Sequence, residues 1–77
     1  MKIEHSNQIN DFLSFYIETR VDGELRYESI IDYLQSEYTI LDLKTKKEID
    51  FKFTTKDENE LEKQIKTEVE KLINEKA

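Results

Sequence analysis

The sequence predicts an α+β domain: a small antiparallel sheet of two hairpins, a short middle helix and a long C-terminal amphipathic helix. Three observations carry this. Residues 12–21 place Leu13, Phe15, Ile17, Thr19 and Val21 on one strand face and run into Asp22-Gly23, a hairpin signal. Residues 48–53 alternate again, with Ile49, Phe51 and Phe53 on one side. Leu61, Ile65, Val69, Leu72 and Ile73 then recur at helical spacing, as a stripe that covers its own sheet or pairs with a second copy.

Parity constrains the first hairpin. A two-residue loop pairs Val21 with Glu24 and sets the apolar face of one strand against the polar face of the next. A three-residue loop with Gly23 in the left-handed position of a bulged turn cures this. It pairs Thr19 with Leu25 and Ile17 with Tyr27, and it sets Arg20 opposite Glu24 and Glu18 opposite Arg26. Opposite-charge pairs of this kind are worth about 0.2–1 kcal/mol each.

Residues 28–37 carry two patterns. Tyr27, Ile30, Ile31, Leu34 and Tyr38 fall at helical spacing, whereas Tyr27, Ser29, Ile31 and Tyr33 alternate like a strand. Ser29 followed by Asp32 has the form of a capped helix start, and a helix over 29–36 is expected. Strands follow at 38–43 and 48–53, joined by the basic turn Lys44-Thr45-Lys46-Lys47. The final helix is expected over 56–75, with Thr55 as cap and Glu58 reaching back to it. The opening residues read as a strand at 2–5 or a helical turn near 6–11, the segment least tied to the rest. The first five elements resemble, in their order alone, a β-grasp arrangement.

Seventy-seven residues suffice for a single domain with a thin core, for which self-association is a common support. Composition narrows function further. The chain has no cysteine, one histidine, one glycine and no proline. It therefore lacks the residues for a disulfide framework, a thiolate or histidine metal cluster, or a glycine-rich phosphate loop. Asp57, Glu58, Glu60 and Glu62 are dense but read as a solvated helix start. No catalytic residue, metal ligand or cofactor is assigned, and the expectation is a non-enzymatic protein. No apolar run approaches the length of a membrane span or follows Met1-Lys2 as a leader would, so a cytoplasmic location is expected. Ten lysines against two arginines, with nine isoleucines, indicate an AT-rich genome such as that of a low-GC bacterium or its phages.

The net charge of −6 is unevenly spread. Residues 22–42 hold Arg26 alone against six acids, interleaved with Tyr27, Tyr33 and Tyr38. Tyrosine is a rigid amphipathic anchor, and carboxylates around it suit a lysine- or arginine-rich protein. The expected binding face is Glu24, Tyr27, Glu28, Asp32, Tyr33, Glu37 and Tyr38. The partner would be a basic, nucleic-acid-associated protein, and the chain a phage- or mobile-element-encoded inhibitor or regulator of it. A competing reading is a nucleic-acid-binding regulator using Lys44, Lys46 and Lys47, although the acidic field opposes it. A third is a structural subunit of a homodimer.

Overall fold

The computed structural model describes residues 1–9 and 15–76. Five strands, β1 (Ile3–Ile9), β2 (Phe15–Val21), β3 (Glu24–Asp32), β4 (Glu37–Asp42) and β5 (Glu48–Lys52), precede one helix, α1 (Glu58–Lys76). The strands form one antiparallel sheet in the order β1-β2-β3-β4-β5. The fold is thus α+β, but among the described residues it has one helix, no middle helix and no β-grasp crossover.

The middle helix fails for a physical reason. Its apolar stripe would have to bury Ile30 and Leu34, which are 45% and 97% exposed. An eight-residue helix is also marginal by itself. As the central strand, residues 24–32 instead pair with β2 on one side and β4 on the other. Tyr27, Ser29 and Ile31 then enter the core together. The proposed cap, Ser29, is fully buried, with no partner for its Oγ among the described residues.

The first turn solves the parity problem differently from the expectation. Asp22 (φ 52°) and Gly23 (φ 83°) are both left-handed, the signature of a two-residue type I′ turn. Val21 does pair with Glu24, and Arg20 with Leu25. The register then shifts, so that Thr19 pairs with Tyr27 and Arg26 is the extra residue of a β-bulge. The bulge, not the loop, brings the apolar faces of β2 and β3 into line. One consequence reverses the expected electrostatics: Glu18 stands opposite Glu28, not Arg26.

The next two turns share one construction. Asp32 ends β3, and its Oδ1 accepts from the N–H groups of Leu34 (3.0 Å) and Gln35 (3.2 Å). Asp42 ends β4, and its Oδ1 accepts from Lys44 (3.0 Å) and Thr45 (3.3 Å). Four residues after each aspartate the chain turns left-handed, at Ser36 (φ 52°) and Lys46 (φ 63°). Each aspartate thus satisfies the loop N–H groups that the hairpin leaves unpaired.

One face of the sheet is covered by α1. Leu61, Ile65, Val69 and Ile73 are buried against Ile17, Tyr27, Ile31, Tyr38, Ile40 and Phe53, and Leu72 packs at the margin. The apolar stripe is therefore used up inside the chain. Tyr38 stacks on Phe51 with centroids 5.1 Å apart and on Phe53 with centroids 6.4 Å apart. Ile49 shares this side through its pairing with Ile40, yet it is 41% exposed because it lies at the sheet's margin. The helix is capped by Asp57 rather than Thr55: Asp57 Oδ1 accepts from Asn59 N at 2.9 Å. Thr55 Oγ1 instead accepts from Asp57 N, which places the cap.

The first strand is long and anchored. His5 Nδ1 lies 2.8 Å from the buried Thr19 Oγ1, and its Nε2 lies 3.1 Å from Glu70 Oε1 on α1. Asn7 Nδ2 donates to Glu62 Oε1 at 3.1 Å. These contacts tie β1 to both β2 and the helix. Leu13 and residues 10–11, which entered the sequence-based expectations, lie outside the described residues.

A β-branched residue at a left-handed position is strained even where space is open. A Cβ at Gly23 meets nothing within 4 Å, so the backbone alone sets the penalty. Gly23→Val should destabilise the fold by more than about 1 kcal/mol, and Gly23→Asn by clearly less, measured by urea unfolding.

Candidate functional site: the helix-free face of the sheet

Strand alternation sends every second side chain away from α1. Across β2, β3 and β4 this open face carries Tyr16, Glu18 and Arg20, then Leu25, Glu28, Ile30 and Asp32, then Glu37, Thr39 and Leu41. Glu48, Asp50 and Lys52 continue it on β5. Arg20 and Lys52 are its only cations against six acids on these four strands.

The charges are arranged unfavourably for the isolated chain. Glu18 pairs with Glu28 across β2 and β3, and Asp32 pairs with Glu37 across β3 and β4. Like charges directly opposite on a sheet repel. Arg20 offers Glu18 a 3.9 Å contact and Lys52 stands opposite Glu37 on β5, but Glu28, Asp32 and Glu37 have no ion-pair partner within 4 Å among the described residues. Two of the acids have hydrogen-bonding tasks: Asp50 Oδ1 accepts from Thr39 Oγ1 at 2.7 Å, and one oxygen of Asp32 holds its turn. Between the acids lie half-exposed apolar groups. Tyr16 stands opposite Ile30, which is 45% exposed, and Leu41 stands opposite Glu28.

The sequence-predicted binding residues divide on this geometry. Glu28, Asp32 and Glu37 come together on the open face. Tyr27 and Tyr38 are 1% exposed beneath the helix and belong to the core. Glu24 pairs with Val21 beside the turn, off the open face. Tyr33 sits in the β3–β4 turn near the start of α1, its ring edge-on to Phe53 at 6.4 Å. Burial, then Glu58 and Glu62, raise its phenol above the ordinary range. Sequence reasoning missed Glu18, Tyr16 and Ile30, because the register it used matched Glu18 with Arg26.

The lysine turn is placed by hairpin chemistry. Lys46 N donates to Asp42 O at 2.8 Å, and Lys47 O accepts from Asp42 N at 2.9 Å. Lys44 lines a depression of about 330 Å³ with Arg26, Met1 and Ile73, while Lys46 and Lys47 do not enter it. Arg26 lies over the Tyr27 ring at 5.6 Å. A second depression, about 310 Å³, runs between Tyr33, Phe53 and the first turn of α1. Among the described residues no three acidic or imidazole groups converge as a metal site would require, and no helix is long and apolar enough to cross a membrane.

The chain matches no family model, no curated protein and no solved structure, so the functional reading rests on this geometry.

Burial raises the Tyr38 phenol most, Gln64 opposes this, and Glu68 adds to it. The ordinary phenol ionises near pH 10, so the unfolded chain releases this proton before the folded one. Its contribution to stability is full below about pH 10 and is lost as pH climbs through the raised folded value. Urea midpoints followed from about pH 9 to about pH 11 should fall less steeply for Tyr38→Phe than for the wild type.

Proposed function

We propose that the chain is a non-enzymatic protein-binding module whose helix-free sheet face docks a basic partner surface. The observation that carries this is the pair of like-charge cross-strand contacts, Glu18 with Glu28 and Asp32 with Glu37, around half-exposed Tyr16, Ile30 and Leu41. An arginine or lysine seated between two opposed carboxylates turns a repulsion into two charge-assisted hydrogen bonds. The aromatic and aliphatic groups between them supply desolvated contact area. The same acidic field attracts a basic partner from a distance and repels bare nucleic acid.

A surface that mimics the charge of nucleic acid suits a nucleic-acid-associated protein as target. Together with the AT-rich residue usage, this supports an inhibitor or regulator encoded by a phage or mobile element and acting in its host's cytoplasm. The nucleic-acid-binding alternative rests on Lys44, Lys46 and Lys47, whose backbone atoms already account for the turn at Lys46 and Lys47.

The test is affinity capture from a low-GC bacterial lysate with wild type and a Glu28→Lys/Glu37→Lys variant, followed by binding kinetics on the captured protein. The expected partner is basic. The variant should associate at least about tenfold more slowly, with a flattened salt dependence. Equal binding by the variant, with an intact circular dichroism spectrum, would refute the reading. Tight, salt-sensitive binding of the wild type to bare DNA, lost on replacing the three lysines, would establish the alternative.

A further inference from the structure

The two edges of the sheet are built differently. β5 is guarded: three of its five residues, Glu48, Asp50 and Lys52, are charged. Antiparallel pairing of β5 with its own copy about its centre would set Asp50 against Asp50. β1 has seven residues and one formally charged side chain, Glu4, apart from His5, which is held by Glu70. It contains no proline, no lysine and no bulge, the devices that blunt an edge strand. Its outer edge has no strand partner among the described residues.

The β1 sequence is also complementary to itself. Antiparallel pairing about Ser6 sets Glu4 opposite Gln8 and His5 opposite Asn7, with Ser6 opposite Ser6. No like charges meet, and each pair unites groups able to hydrogen-bond. Two other routes to self-association are less favourable. The α1 stripe is buried in the core, and two open faces would bring like acids together.

We propose that β1 pairs antiparallel with β1 of a second copy about a two-fold axis at Ser6. The two sheets then join into one of ten strands. In this register residues of equal parity face each other, so both helices lie on one side and both acidic faces on the other. The dimer thus presents two copies of the docking surface on one side, joined across the Glu4, Ser6 and Gln8 positions of the two β1 strands. The pairing stands on edge chemistry alone and does not depend on what that surface binds.

Three variants of the cysteine-free chain test it. Residues opposed in an antiparallel pair have Cα atoms about 4.5–5.5 Å apart, within disulfide reach. Ser6→Cys should therefore oxidise rapidly to a covalent dimer, and Asp50→Cys on the opposite edge should not. Ser6→Lys, at an exposed position, sets lysine against lysine and should weaken dimerisation by up to about fivefold, read by sedimentation equilibrium. A monomer from micromolar to millimolar concentration would overturn the proposal. So would a dimer indifferent to Ser6→Lys, or equal cross-linking through Asp50→Cys.

Discussion

Side-chain parity between β2 and β3 is the constraint on which the rest of the structure depends. A strand residue points to one face or the other, and a shift of one residue exchanges core for solvent. The type I′ turn at Asp22-Gly23 pairs Val21 with Glu24, a register that would send the apolar sides of the two strands opposite ways. Arg26, the extra residue of the bulge, corrects the mismatch within two residues of the turn. From that point Ile17 and Thr19 share a face with Tyr27, Ser29 and Ile31. The remaining strands inherit this register, and α1 finds a continuous apolar floor. The same correction sets Glu18 against Glu28, so the core and the acidic face have one origin.

Much of this was legible in the residues, and the failures have identifiable causes. The period-two runs at 15–21 and 48–52, the left-handed Gly23 and the stripe of α1 were visible because each is a strong local pattern. The parity conflict was visible too, but a loop bulge and a strand bulge resolve it equally well on paper. Turn geometry decided, since Asp22 tolerates a left-handed backbone and completes the two-residue turn. Residues 28–37 were misread because helical and strand periodicities coincide at Tyr27 and Ile31. Tertiary pairing on both sides of β3 overrode the local helix signal. The role of His5 was invisible, because its partners Thr19 and Glu70 lie 14 and 65 residues away.

The candidate site shows the same division. Charge counting located the acidic middle third, and Glu28, Asp32 and Glu37 do share a face. Counting could not separate carboxylates with a structural task from those without one. Asp32 and Asp42 spend an oxygen on their turns. Glu28 and Glu37 do not: Glu28 faces Glu18, and Glu37 stands between Asp32 and Lys52. The pairing of Tyr27 with Ile17 already placed Tyr27 on the apolar side, in conflict with its place in the expected binding face, whereas Tyr38 lay beyond that hairpin and its buried side was undecided.

Small domains are stable by only about 5–15 kcal/mol, so repulsion kept on an open face is a real cost to the isolated chain. On the proposed function, a basic partner would offset that cost. A double-mutant cycle of Glu18→Gln and Glu28→Gln, followed by urea unfolding at low ionic strength, measures it most directly. The expected result is a repulsive coupling between the two carboxylates of about 0.2–1 kcal/mol that shrinks as salt is added. A coupling of zero, or a favourable one, would contradict it.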